Sequence, residues 1–239
     1  MSRINGFVGR RNFFKLLGIG SVAMASSCQI LGQTKQSSLP RQTQLPDNLV
    51  NYDTALNILL DGNQRFVKEK RLYPDQSFAR VKLVAQTQYP FAAILDCADS
   101  RVPTEIIFDQ GIGDLFVVRV AGNIANDVAI GSLEYAASVL GCQLIMVLGH
   151  ERCGAVAEAL KSVDAAGNID SIIDNIQPGL KNINKNTNDA LNDAVIANIQ
   201  YQLEKIKEKS SILLNLVNQG KLKIIGARYD LDTGKVAII

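Results

Sequence analysis

Residues 144–154 read LIMVLGHERCG, and they carry the clearest information on the fold class. It begins with five consecutive apolar residues, which is typical of a strand buried on both faces of a sheet. Similar apolar runs occur at 91–95 and 115–120, and a fourth strand is predicted at 222–229. Because apolar strands that alternate with helices form parallel sheets, we predict a single α/β domain with a mainly parallel β-sheet flanked by helices.

Apolar residues at helical spacing predict the elements that flank the sheet. Helices are expected over residues 53–70, 131–140, 154–161 and 190–209, and a last strand over 235–239 follows an Asp-Thr-Gly turn. The segment 162–188 is rich in Asn, Asp, Ile and Gly, so we predict loops with short helical turns there. Sites on parallel sheets collect at the carboxyl ends of the strands, which directs attention to the residues that follow those ends.

The composition of the 239 residues excludes several classes of protein. With 47% hydrophobic and 20% charged residues the chain can bury a large core, so it is neither disordered nor a disulfide-stapled miniprotein. The first 27 residues hold four basic residues and no acid, which leaves 21 basic and 23 acidic residues in the remainder. A near-neutral body without a basic stripe argues against nucleic acid as a partner.

The N-terminal residues are interpreted as a targeting signal and a linker rather than as part of the folded domain. The paired Arg10 and Arg11 precede a weakly apolar stretch, and residues 1–27 resemble a twin-arginine (Tat) signal peptide. Such a signal predicts export of a folded protein to the periplasm, a thylakoid lumen or the cell envelope. Cys28 follows a small-residue stretch and is a candidate for lipidation, with simple cleavage nearby as the alternative. Residues 28–46 are predicted to be a flexible tether, so an acylated Cys28 would attach the body to a membrane.

Two cysteines and the single histidine of the chain form the candidate metal site. Cys97 and His150 follow predicted strands, and Cys153 comes three residues after His150. Two thiolates and one imidazole make a tetrahedral Zn²⁺ site that lacks one ligand, and a fourth position left to water is typical of a catalytic zinc. Two thiolates also donate charge to the ion, so neighbouring hydrogen-bond donors are needed to offset this. Cys142 is interpreted as an inert core residue.

Four motifs occur in order over residues 50–239: C-A-D-S-R at 97–101, V-V-R-x-A-G-N at 117–123, H-x-x-C-G at 150–154 and Y-D-L-D-T-G at 229–234. Together they resemble the β-class carbonic anhydrases. The resemblance implies that zinc, held by Cys97, His150 and Cys153, hydrates carbon dioxide to bicarbonate and a proton through zinc hydroxide. It further implies that Asp99 orients the nucleophile while Arg101 holds it away from the metal. In a closed form of some members, that aspartate binds the zinc itself.

The resemblance also implies a substrate pocket and an oligomer. Gln88 is expected to bind substrate oxygen, and Phe116 and Tyr135 match pocket aromatics that come from across a dimer interface. The amide of Gly154 can receive the forming anion. The expected assembly is therefore a homodimer or a dimer of dimers. Gln88 and the absence of tryptophan favour the open, plant-like subgroup.

Several alternatives remain at this point. The same scaffold can serve a hydrolase of carbon disulfide or carbonyl sulfide, or a non-catalytic zinc protein that senses inorganic carbon. A disulfide between Cys97 and Cys153 is a third alternative. The pair Glu151 and Arg152, which departs from many relatives, can form an ion pair, alter access to the cleft or be a solvated turn.

Overall fold

The computed structural model describes residues 49–161, 166–184 and 186–239. Within them a five-stranded sheet has the order β2-β1-β3-β4-β5. The strands are β1 (Ala92–Asp96), β2 (Leu115–Arg119), β3 (Leu144–His150), β4 (Lys223–Tyr229) and β5 (Val236–Ile238). The first four strands run parallel and β5 is antiparallel to β4. The predicted α/β fold with a mainly parallel sheet is therefore confirmed.

Helices cover both faces of this sheet. They are α1 (Tyr52–Val67), α2 (Phe78–Val84), α3 (Thr104–Ile107), α4 (Asp127–Ser138), α5 (Gly154–Lys161), α6 (Ile169–Leu180), α7 (Ala190–Lys209) and α8 (Ser211–Asn218), with a 3₁₀ turn at Ala121–Asn123. The bounds of α5 and α7 are those predicted from the sequence. None of the helices in the described part of the chain is both long and apolar enough to cross a membrane.

Two expectations about the helices were wrong. Helix α6 lies inside the segment expected to form loops, and it buries Ile173, Ile176 and Leu180 at helical spacing. The Asn- and Asp-rich composition of this segment hid that apolar stripe. Helix α4 begins four residues before its predicted start, because the side chain of Asn126 caps the helix by accepting a hydrogen bond from the N–H of Ala129.

The strand register aligns the carboxyl ends of the parallel strands at one edge of the sheet. Asp96 of β1 lies opposite Arg119 of β2, and His150 of β3 lies opposite Tyr229 of β4. All five residues of β1 and all seven residues of β3 are buried, which accounts for their continuous apolar sequence. The residues after these strands are thus held on a rigid, buried support.

Helix α7 packs against one face of the sheet at two glycines. A Cβ atom at Gly149 would lie 2.6 Å from both Cγ1 and Cδ1 of Ile199, and a Cβ atom at Gly226 would lie 2.9 Å from Cγ2 of the same side chain. Real Cβ atoms do not approach other atoms so closely. Because Gly149 and Gly226 have no side chains, α7 can pack closely against β3 next to His150.

Candidate metal centre and active site

The structure brings the three predicted metal ligands together. Cys97 directly follows β1, His150 ends β3, and Cys153 lies in the turn before α5. Their ligand atoms lie within 4.8 Å of one another, and the two sulfur atoms are 3.9 Å apart. All three residues are buried, with at most 4% of the surface of any of them exposed. The three residues can therefore reach a single ion.

The hydrogen bonding of His150 fits a metal ligand. Its Nδ1 lies 2.8 Å from the carbonyl oxygen of Glu151, and a carbonyl only accepts, so Nδ1 carries the proton. The lone pair is then on Nε2, which is buried and makes no hydrogen bond. An unpaired buried nitrogen beside two sulfur atoms is costly unless a cation occupies the space between them. This donor set of two sulfurs and one nitrogen suits zinc.

Backbone N–H groups point at both sulfur atoms. The N–H of Gly122 donates to Cys97 Sγ at 3.2 Å, and those of Ala155 and Val156 act to lower the pKa of Cys153. A hydrogen bond between the two cysteines lowers the pKa of Cys97 below that of an ordinary thiol and raises the pKa of Cys153. The two sulfurs thus compete for one proton, and a bound cation would allow both to be thiolates.

Asp99 and Arg101 form the expected pair next to the ligands. The guanidinium donates to Asp99 Oδ1 from Nε at 2.9 Å and to Oδ2 from Nη2 at 2.8 Å, and the N–H of Arg101 also donates to Oδ1 at 2.9 Å. These hydrogen bonds lower the pKa of Asp99 to about 2. Its Oδ2 is 3.7 Å from His150 Nε2, yet Asp99 does not belong to the described group that can share one ion. The carboxylate is therefore held by Arg101 close to His150 but outside the three-residue group.

Two further residues support the loop that carries Cys97 and Asp99. Arg119 Nη2 donates to the carbonyl oxygens of Cys97 at 2.9 Å, Asp99 at 2.7 Å and Val102 at 3.1 Å. The carboxylate of Asp96 accepts from the N–H of Cys97 at 2.6 Å, and burial raises the pKa of Asp96 to about 7. Sequence reasoning assigned neither residue a role, although both lie at the carboxyl ends of strands, where sites collect.

The predicted pocket residues form a separate group in this chain. The rings of Phe116 and Tyr135 have centroids 6.2 Å apart, and Gln88 and Tyr135 line one cavity of about 460 Å³. Phe116 pairs with Ala93, four residues before Cys97, which corresponds to about 13 Å along the strand. The structure therefore does not place these side chains on the chain's own metal centre, whereas Gly154 directly follows Cys153 as the first residue of α5.

Glu151 and Arg152 form an ion pair in a turn that stays partly exposed to solvent. Arg152 lies 3.4 Å from Glu151 Oε2 and makes two hydrogen bonds, of 2.9 and 2.7 Å, with Asp232. Glu151 Oε2 also accepts from the N–H of Leu231 at 3.2 Å. Of the alternatives considered, the ion pair is observed, and its extension to Asp232 ties the metal-binding turn to the turn after β4.

Other predicted features have different outcomes. Cys142 is a buried thiol that donates to the carbonyl oxygen of Pro90 at 3.2 Å, and burial raises its pKa to about 12, as expected of an inert core residue. Arg10, Arg11 and Cys28, with the predicted signal peptide 1–27 and tether 28–46, lie outside the described residues.

Comparisons with known proteins identify the family. Residues 92–236 match a family model described as "Carbonic anhydrase". "Carbonic anhydrase 2" of Mycobacterium tuberculosis is 36% identical over 188 residues, which cover 77% of this chain and 91% of that protein. "Beta carbonic anhydrase 5, chloroplastic" of Arabidopsis thaliana is 28% identical over 227 residues, 86% of this chain and 72% of that protein. A β-carbonic anhydrase of Coccomyxa, solved in complex with acetazolamide, is 28% identical with a TM-score of 0.60, over 77% of this chain and 86% of that one. The chain therefore belongs to the β-class carbonic anhydrase family.

Proposed function

We propose that this carbonic anhydrase hydrates carbon dioxide reversibly to bicarbonate and a proton at a zinc ion held by Cys97, His150 and Cys153. The observation that carries the proposal is His150 Nε2, which is buried without a hydrogen bond beside two sulfurs 3.9 Å apart. When bound, zinc supplies a Lewis acid that makes water a nucleophile near neutral pH.

Asp99 would accept a hydrogen bond from the attacking water and fix its direction. Its pKa of about 2 keeps the carboxylate an acceptor near neutral pH. The two hydrogen bonds from Arg101 hold both carboxylate oxygens, so the acceptor geometry is set before substrate arrives. This arrangement supports the open, plant-like subgroup, in which the aspartate does not compete with water for the metal.

The pocket residues would serve the metal centre of a second copy of the chain. Phe116 lies on the edge strand β2, about 13 Å along the sheet from Cys97. Its ring lies 6.2 Å from that of Tyr135, and Tyr135 and Gln88 line one cavity. Large apolar side chains are exposed nearby in the fold, including Phe78 on α2 and Val128 on α4. Covering such surface in a homodimer, or in a dimer of dimers, would give each metal centre an apolar wall for carbon dioxide and an amide for its oxygens. The Gly154 N–H would receive the product anion.

Export is proposed on the sequence alone. Arg10 and Arg11 support transport of the folded chain through the twin-arginine route, and Cys28 supports a lipid anchor. The enzyme would then equilibrate inorganic carbon outside the cytoplasm. Cell fractionation tests this: changing both arginines to lysine should retain the protein in the cytoplasm, and Cys28→Ala should release it from membranes. A protein that stays in the cytoplasm with both arginines intact would contradict export.

Stopped-flow measurement of carbon dioxide hydration by the zinc-loaded protein tests the chemistry. Asp99→Asn should lower turnover by about 100-fold or more while zinc stays bound, because the amide keeps the shape but loses an acceptor. Asp53→Asn is the matched control, since Asp53 is exposed and pairs with Lys223 at the opposite end of the sheet. Absence of hydration with zinc bound would favour the hydrolase or the sensor, and equal turnover in Asp99→Asn would exclude its proposed role.

A further inference from the structure

Two amide side chains of α7 are buried against the turn that approaches Cys97. Asn198 and Gln202 lie one helical turn apart, and neither has any exposed surface. Asn198 Nδ2 donates to the carbonyl oxygen of Gly122 at 2.9 Å, and Gln202 Oε1 accepts from the N–H of Ala125 at 2.9 Å. The two amides therefore hold both ends of the segment 122–125.

The amides also hold each other. Gln202 Nε2 donates to Asn198 Oδ1 at 3.0 Å and to the carbonyl oxygen of Asn175 at 2.9 Å. The surrounding positions of α7 are apolar and buried, among them Val195, Ile199 and Ile206. Burying an amide in such a layer is unfavourable unless its donors and acceptors are paired, so this network has one arrangement that satisfies it.

The segment held in this way presents a donor to a metal ligand. The N–H of Gly122 lies 3.2 Å from Cys97 Sγ. Gly122 has a φ of 72°, and a Cβ atom there would lie 2.6 Å from Ile176 Cδ1, so its backbone has a conformation that side chains oppose. A hydrogen bond to a thiolate withdraws electron density from the sulfur, and this reduces the charge that the sulfur gives to a bound cation.

We propose that Asn198, held by Gln202, is a positioning residue that keeps the Gly122 N–H on Cys97 and thereby increases the Lewis acidity of the metal. The inference rests on the proposed zinc site. Because two thiolates weaken the acidity of the ion, the Gly122 hydrogen bond restores part of it. Asn198 touches neither substrate nor metal in this scheme and acts through the turn.

The test compares Asn198→Leu with Ile206→Ala in the full chain. Leucine has a similar size and adds no charge, but it cannot bind the Gly122 carbonyl. Ile206 is a fully buried residue two turns along the same helix, so its truncation destabilises α7 without removing a hydrogen bond from the turn. Each variant is loaded with zinc for kinetics and with cobalt for the sulfur-to-metal charge-transfer band, and the melting temperature of each is measured.

Asn198→Leu should lower kcat by about 10- to 100-fold with KM nearly unchanged. Its charge-transfer band should move to longer wavelength, because the sulfur electrons lose the stabilising N–H. Ile206→Ala should keep the wild-type band and kcat, although its melting temperature should fall by as much as that of Asn198→Leu or more. If Asn198→Leu does not fold, Asn198→Ser replaces it in the same comparison.

A wild-type band and kcat in a folded Asn198 variant would overturn the inference, as would a loss of kcat and a band shift in Ile206→Ala equal to those in the Asn198 variant. These outcomes differ from failure of the proposed function, in which the unmodified protein itself would bind no zinc or show no hydration.

Discussion

Substituting Gly149 with alanine should damage the metal centre through packing alone. The added Cβ would lie 2.6 Å from Cγ1 and Cδ1 of Ile199, whereas carbon atoms pack best at about 3.5–4.0 Å. Because the β-branched Ile199 is fully buried and stiff at χ1 in a helix, relief comes mainly from a movement of roughly 1 Å between β3 and α7. Overpacking on this scale costs about 1–3 kcal/mol of stability. Because His150 is the next residue, a displacement of that size is expected to lower kcat/KM by about 100-fold.

A double mutant separates this packing effect from other causes. Ile199→Ala removes both atoms that meet the new Cβ, and alone it should cost about 2–5 kcal/mol because Ile199 is fully buried. Combined with Gly149→Ala, it should cost about 1–3 kcal/mol less than the sum of the single changes. Urea denaturation at a fixed free zinc concentration gives the stabilities, and stopped-flow hydration gives the rates. Additive free energies, or a Gly149→Ala protein with wild-type rate and stability, would show that the contact with Ile199 does not control the metal centre.

Three other predictions concern single groups. The pKa of Asp109 is lowered: burial acts to raise it, but hydrogen bonds from the N–H of Leu72 and from Arg65 outweigh burial. The carboxylate therefore contributes stability above the unfolded pKa of about 3.9, and this contribution is lost as pH falls through the folded pKa. Asp109→Asn should thus lower the free energy of unfolding by about 2 kcal/mol at pH 7 and make that free energy depend less on pH below about 4, as measured by denaturation at several pH values. An unchanged dependence on acidic pH would contradict this. Cys142, with a pKa of about 12, should not react with a thiol reagent at pH 8. The measurement uses folded, zinc-loaded protein that carries Cys28→Ser, and a fast-reacting thiol that disappears in Cys142→Ala would disprove the prediction. Since the one histidine is a metal ligand candidate, turnover should rise with external buffer concentration at constant pH and ionic strength, and a constant rate would show another proton carrier.

The sheet could be predicted from sequence because its strands are buried on both faces. The runs before Cys97 and at the start of β3 are continuous apolar segments, and parallel packing is what produces such segments. The helices that were missed lack a comparable signal. Helix α2 buries none of its residues and so displays no apolar stripe. The stripe of α8, which is Leu213 with the half-buried Leu216 and Val217, spans little more than one turn and follows α7 after Ser210 alone. Their starts depend instead on the capping side chains of Ser77 and Ser210.

The metal ligands could be predicted because cysteine and histidine are recognisable by residue type alone. The hydrogen-bond network of Asn198 and Gln202 depends on how the chain folds, which the residue types do not reveal. Four isoleucine and leucine residues of α7 stand at helical spacing, and two of them, Ile199 and Ile206, are fully buried. The other fully buried positions include the amides Asn198 and Gln202. Buried amides at that spacing are visible in the sequence only as an interruption of the stripe. The position of Gln88, Phe116 and Tyr135 away from the chain's own metal centre follows from strand register, which the sequence does not specify by itself.

The two sulfur ligands come from positions 56 residues apart and meet only when β1 and β3 are paired. An unfolded chain thus offers a metal ion no assembled site, and an ion that binds the folded state alone stabilises it by mass action. At a free concentration 100 times the dissociation constant, that stabilisation is about 2.7 kcal/mol. Scarcity of zinc would therefore shift the population toward unfolded chains that proteases degrade. The metal supply of the compartment would set how much of this protein persists as well as how fast each molecule turns over.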